Sequence, residues 1–171
     1  MKPDPNGLLS LLEAHGAELH ALLTRLTLRA GVAEDLLQDL FLKLRRSEGL
    51  ARAGNRKAYL FRTAIHLAFD WRRARRPTGP LPGDSAVAEE SPLDRLIDAE
   101  ELDQVLDALQ YLPELGRHVL VLRYLQQQDY TDIAQQLGKT EHQVRGLCAK
   151  ALGQLRSLLN PADAKKKGGQ A

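Results

Sequence analysis

Tyr130-Thr-Asp-Ile-Ala-Gln-Gln-Leu-Gly-Lys-Thr-Glu-His-Gln-Val-Arg-Gly-Leu-Cys-Ala149 has the spacing of two short helices joined by a tight turn. Ala134 is small enough to let the helices cross closely, Gly138 follows four residues later, and Val144 six after that. Glycine permits the positive φ that such a turn requires. Ile133, Leu137 and Leu147 fill the remaining apolar slots, and Val144 and Leu147 are expected to pin the second helix to the first. Thr140 and Gln143 fit a capping box at the start of the second helix. Asp129 fits the N-cap of the first, and Pro113 suits the first turn of the helix before it. The stretch therefore predicts a helix-turn-helix.

In that motif the second helix enters the major groove of DNA. Its outward positions are Thr140, Glu141, His142, Arg145, Gly146, Ala149 and Lys150. Arg145 and Lys150 suit bases or phosphates, and His142 is a weaker candidate. Glu141 suits either a cytosine amino group or the helix dipole. The same turn also serves a plain three-helix bundle. The segment from Gln110 to Asn160 carries six bases against four acids, a weak electrostatic footprint for duplex binding by itself.

Working outward, the pattern stays helical. Leu19, Leu22, Leu23 and Leu26 recur at spacings of three and four, as do Leu36, Leu37, Leu40, Phe41 and Leu44. Leu60, Ala64, Leu67 and Trp71 follow, then Leu102, Val105, Leu106 and Leu109. Gly31 is expected to separate the first two helices, and Glu48 to Gly54 the second from the third. Pro77-Thr-Gly-Pro-Leu-Pro-Gly83 cannot sustain a helix, and the stretch after it is polar. The expected architecture is all-α: one small helical domain at 1–76, a flexible linker at 77–92, a second helical domain at 93–159, and a disordered basic tail at 160–171.

Charge is segregated along the chain. Between Lys43 and Arg76 eleven basic residues meet only Glu48 and Asp70, whereas between Asp84 and Asp107 nine acids meet only Arg95. A basic block this dense points either to a polyanion or to a solvated face; its interleaved aromatics favour nucleic acid. Contact between the two oppositely charged stretches is a further expectation of the segregation.

Other classes find little support. Hydrophobic residues make up 43% of the chain and charged residues 27%, which fits a folded, soluble protein. No apolar run approaches the roughly 20 residues of a membrane helix, and the N-terminus does not resemble a signal peptide. The expected location is cytoplasmic, without membrane contact. The single cysteine, Cys148, excludes an internal disulfide, and its slot on the helix predicts burial. The five histidines are scattered, so neither metal nor cofactor is expected. No nucleophile constellation or phosphate-binding glycine loop supports an enzyme.

Three stretches in order carry a resemblance. Ala33-Glu-Asp-Leu-Leu-Gln-Asp-Leu-Phe-Leu-Lys-Leu44 is similar to region 2.2 of the extracytoplasmic-function sigma factors of the sigma-70 family. Ala58-Tyr-Leu-Phe-Arg-Thr-Ala-Ile-His-Leu-Ala-Phe-Asp-Trp-Arg-Arg-Ala-Arg-Arg76 resembles their regions 2.3 and 2.4. Leu106-Asp-Ala-Leu-Gln-Tyr-Leu-Pro113, Val119-Leu-Val-Leu-Arg-Tyr-Leu125 and the helix-turn-helix resemble region 4.

The resemblance implies a non-catalytic specificity subunit of bacterial RNA polymerase, a monomer when free. It would bind the β′ clamp helices and β flap of core polymerase, promoter DNA and an anti-sigma factor. Docking on the clamp would fall to Asp35, Gln38, Asp39 and Lys43. Melting and holding the minus-10 element would fall to Asn55, Arg56, Lys57, Tyr59, Arg62, His66, Trp71, Arg72, Arg73, Arg75 and Arg76. Within this set Arg72, Arg73, Arg75 and Arg76 are expected to track phosphates. Tyr59, Phe61 and Trp71 are either stacking groups or core. The minus-35 element would be read by Thr140, Glu141, His142, Arg145 and Lys150. A common family pattern has Asn at the place of His66; it also has a basic residue at that of Leu147 in the recognition helix, and from this second departure, with Gly146 beside it, a divergent minus-35 sequence is expected. The competing reading is a stand-alone DNA-binding regulator built on the same helix-turn-helix.

Overall fold

Leu19, Leu22, Leu23 and Leu26 are completely buried along one side of α1 (Pro5–Thr27) and set the core of the N-terminal unit. Each such side chain contributes about 1.5–3 kcal/mol of burial. The computed structural model describes residues 5–75 and 92–160, with side chains described over 6–75 and 100–160. Arg76, the linker expected at 77–92 up to its last residue, and the tail from 161 onward lie outside the described residues. So do Asp84, Glu89 and Glu90, three of the nine acids expected to meet the basic block, while the side chains of Asp94 and Asp98 are not described. The chain divides into two compact units, Met1–Ala88 and Glu89–Ala171. The described residues are helical throughout, with no strand among them.

In the first unit α1 packs on α2 (Ala30–Arg46) and α4 (Arg56–Ala74), and the short α3 (Gly49–Arg52) packs on α4. The break between α1 and α2 does not sit at Gly31, which lies inside the first turn of α2. It sits at Leu28, whose φ is 61°. The buried Thr27 hydroxyl stabilises it, donating to the Leu23 carbonyl at 2.7 Å and accepting from the Arg29 amide at 3.3 Å. A left-handed leucine costs about 1–2 kcal/mol, which the packing of α1 against α2 and α4 offsets.

The inward stripe of α4 also differs from the expected one. Leu60 and Ala64 are buried, but Leu67 and Trp71 are only half-buried. The buried side runs Phe61, Ala64, Ile65, Ala68, Phe69 and Arg72. On α2 the core takes Ala33, Leu36, Leu40 and Leu44, while Leu37 and Phe41 lie at the margin.

The second unit is built from α5 (Pro92–Leu109), α6 (Glu114–Leu120), α7 (Tyr130–Leu137) and α8 (Glu141–Leu159). Pro113 is the N-cap residue of α6 and stands just outside its first turn. α6 widens into a π-helical turn over Val121–Leu125. α8 crosses α6 where Gly116 meets Ala151; a Cβ on Gly116 would come within 3.1 Å of the Ala151 methyl. α7 and α8 form the helix-turn-helix, with Gly138 at φ 63° ending α7 in the left-handed conformation. Asp129 caps α7 by accepting from the Asp132 amide at 2.9 Å. Thr140 and Gln143 form the reciprocal box on α8. Val144, Cys148 and Ala151 form the buried side of α8, and Leu147 is half-buried; the thiol, rather than that leucine, continues the inward stripe.

Candidate nucleic-acid interface

α8 presents Thr140, Glu141, His142, Arg145 and Lys150 to solvent, because Val144, Cys148 and Ala151 turn the other way. Arg145 is the most constrained of the five. Its Nε and Nη2 donate to Oε1 of Glu141 at 3.2 and 2.7 Å. Its guanidinium carbon stands 4.5 Å from the centre of the Tyr130 ring. The other oxygen of Glu141 accepts from the Thr131 hydroxyl at 3.1 Å. The Arg145 hydrogen bonds, followed by that from Thr131, hold the Glu141 carboxyl below its ordinary range.

A second guanidinium meets the same ring. Arg123, on the π-helical turn, also lies 4.5 Å from the Tyr130 ring centre and donates to the Gln128 carbonyl at 2.9 Å. The Tyr130 hydroxyl donates to the buried Cys148 sulfur at 3.8 Å. Burial, followed by its proximity to Cys148, raises the Tyr124 phenol above its ordinary pKa. Tyr130, Thr131 and Arg123 were not among the expected site residues. Arginines seven positions before Tyr130 and fifteen after it have no local spacing signature.

The residues expected at the minus-10 element do not share one surface. Asn55 caps α4, its Oδ1 accepting from the Ala58 amide at 3.0 Å, and Arg56 beside it is exposed. Lys57 reaches Glu18 on α1 at 3.7 Å and stands 5.6 Å from the Phe61 ring centre. This exposed pair contributes at most about 1 kcal/mol and yields readily to a competing ligand. Tyr59 is half-buried; its hydroxyl lies 3.5 Å from Ser47 Oγ and abuts Gly49, where a Cβ would overlap the phenol oxygen at 2.1 Å. Arg62, half-buried His66 and exposed Arg73 follow one side of α4 at spacings of four and seven, with Arg73 paired to Asp70. Trp71, five residues beyond His66, lies well around the helix with Arg75 stacked 5.4 Å from its ring centre.

One of these sequence expectations is corrected. Arg72 does not face outward to track phosphates: it is 3% exposed and its Nε donates to the Leu26 carbonyl at the end of α1. The reason is register, since Phe61, Ile65, Ala68 and Arg72 recur at spacings of three and four on the buried side. Of the two alternatives left open for Phe61, stacking group or core, the core holds: it is 3% exposed, and its ring meets that of His15 edge-on at 6.1 Å.

On α2, Asp35, Gln38, Asp39 and Lys43 are all exposed at helical spacing. Leu42 stands among them, 48% exposed. It was not expected there, although its position out of phase with Leu36, Leu40 and Leu44 is a readable signal.

The family model of sigma-70 region 2 matches residues 11–78, and that of sigma-70 region 4 matches residues 102–155. Among curated proteins the chain is 35% identical over 153 residues to the ECF RNA polymerase sigma factor SigM of Mycobacterium tuberculosis, covering 87% of this chain and 75% of that one. It is 33% identical over 138 residues to the RNA polymerase sigma-E factor of Streptomyces antibioticus, covering 77% and 72%. Its fold resembles that of CnrH, solved in complex with the cytosolic domain of CnrY, with a TM-score of 0.53 and 22% identity over 93% of this chain and 91% of that one.

Proposed function

The chain belongs to the extracytoplasmic-function group of the sigma-70 family, the non-catalytic subunits that bring RNA polymerase to promoters, and from that premise we propose how its surfaces divide the work. The exposed side of α2 docks on the β′ clamp helices through Asp35, Gln38, Asp39 and Lys43, with Leu42 supplying apolar contact. The beginning of α4 and the residues before it, including Asn55, Arg56 and Lys57, lie against the opened minus-10 strand. Arg62, His66 and Arg73 follow its backbone along one side of α4, and Trp71 with Arg75 offers a stacking surface on the other. α8 reads the minus-35 element through Thr140, Glu141, His142, Arg145 and Lys150, the unit around it also contacting the β flap.

The observation that carries this reading is the exposure of two separate polar helix faces, on α2 and on α8, in a chain whose matched regions follow the family order. A single DNA-binding motif would need only the second. Unstacking a base costs a few kcal/mol, so the melting step depends on contacts shared with the polymerase. The protein acts in the cytoplasm, where the polymerase works. An anti-sigma factor restrains it by covering the α2 face; CnrH, of similar fold, binds the cytosolic domain of CnrY.

The test is pull-down with bacterial core polymerase followed by run-off transcription from a pool of promoter fragments. Stoichiometric core binding and new, sequence-selective transcripts are expected. Replacing Asp35 and Asp39 with Lys weakens core binding without unfolding the protein; unchanged affinity would remove the α2 face from the docking role. Absence of core binding together with tight, selective duplex binding would turn the reading to a stand-alone regulator.

A further inference from the structure

Glu141 stands at the first position of α8, in the row of side chains that faces the groove in a helix-turn-helix. A glutamate there can accept from a cytosine amino group only with lone pairs that no protein donor already occupies. Here both oxygens are already engaged by donors of the protein itself, on an exposed side chain. Oε1 takes two hydrogen bonds from Arg145, at 3.2 and 2.7 Å, and Oε2 takes one from Thr131 on the preceding helix, at 3.1 Å. Arg145 is held from a second direction by the Tyr130 ring, 4.5 Å from its guanidinium carbon. Tyr130 is itself tied down, by its hydroxyl to Cys148 and by Arg123 against its ring.

We propose that Glu141, Thr131 and Tyr130 form a frame that aims Arg145 at a single guanine of the minus-35 element, so that Glu141 is a positioning residue and reads no base itself. The inference rests on the assignment of α8 to minus-35 recognition. A guanidinium carries five N–H groups. The frame uses Nε–H and one Nη2–H, which leaves the Nη1 pair and the second Nη2–H for the two acceptors, O6 and N7, of a guanine edge. An arginine already fixed by a carboxylate and a ring loses less rotamer freedom on binding than one projecting into water. This frame gives the near-neutral C-terminal segment a sharply placed positive group without a broad basic surface.

The test uses holoenzyme assembled from the full chain and core polymerase, transcribing a promoter library randomised across the minus-35 element. Arg145→Ala removes the preference for one G·C pair by about 10- to 100-fold. Glu141→Ala and Tyr130→Leu weaken preference at that same pair by about 3- to 10-fold. Tyr130→Phe, which keeps the ring, leaves it intact. Adding Glu141→Ala to Arg145→Ala changes nothing further. Thermal unfolding of each variant separates these effects from lost folding. If Glu141→Ala alters preference at a different base pair, or adds to Arg145→Ala, Glu141 reads DNA directly and the proposal is overturned. If Arg145→Ala, His142→Ala and Lys150→Ala all leave the minus-35 preference unchanged while core binding persists, the assignment of α8 fails, and the frame proposal with it.

Discussion

At position 72 an arginine occupies a slot where the helical period calls for an apolar side chain. Its hydrogen bond to the Leu26 carbonyl serves one of the acceptors that α1 leaves without an intrahelical partner at its end. Arg72→Ala therefore removes a charge-assisted bond and leaves a gap between α4 and α1. Denaturant unfolding should show a loss of about 1.5–3 kcal/mol from the bond alone. The neighbouring Arg73→Ala should leave stability nearly unchanged and lower the salt dependence of DNA binding. The reverse pattern would return Arg72 to the phosphate-tracking set. Glu141 makes a second prediction at this scale. Its carboxyl is held below the unfolded value, so its contribution to stability is present above that value and fades as pH falls through the folded one. A carboxyl titration by NMR should find its midpoint below the ordinary glutamate range. An ordinary midpoint would mean that Arg145 and Thr131 do not hold it in solution.

The helix-turn-helix was legible in the sequence because its constraints are local. Gly138 reaches φ 63°, Asp129 and Thr140 cap as their types require, and Val144 points inward. Gly138→Ala should cost about 1–2 kcal/mol, the penalty of a Cβ in the left-handed region, measured as a drop in the thermal unfolding midpoint. An unchanged midpoint would mean that the turn relaxes to negative φ. α4 was less legible. The apolar letters of Leu60, Ala64, Leu67 and Trp71 keep helical spacing, but Phe61, Ile65 and Ala68 keep it equally well. A helix with apolar residues on more than half its circumference does not reveal from its own sequence which stripe its neighbours cover. α1 and α2 select the second stripe, and the choice carries Arg72 inward and leaves Trp71 at the margin.

Eleven bases between Lys43 and Arg76 set against six bases and four acids between Gln110 and Asn160 give the two halves of the chain different electrostatic tasks. Neither half suits tight duplex binding alone. In the proposed division of labour the first meets separated strands, and the second lacks the charge to hold phosphates strongly. The free chain should therefore bind promoter duplex without sequence selectivity, with Kd on the order of micromolar or weaker at physiological salt. Fluorescence anisotropy on promoter and scrambled duplexes measures this. Nanomolar, selective binding by the chain alone would contradict a division of labour that depends on the polymerase.

Periodicity and turn chemistry in the sequence determined the all-α class and the helix-turn-helix, and the ordered motifs determined the resemblance that the relatives support. These rest on signals that span a few residues and survive in any context. Only the tertiary structure decided which side of α4 is covered, where α1 ends, and that Arg123, Tyr130, Arg145, Glu141 and Thr131 meet. Each of those outcomes depends on groups distant in the chain competing for the same buried surface or the same hydrogen bond. Leu28 takes a left-handed backbone because the packing of α1 against its neighbours outweighs its local preference. Arg145 is aimed by a ring fifteen residues away because the turn at Gly138 folds α7 back against α8.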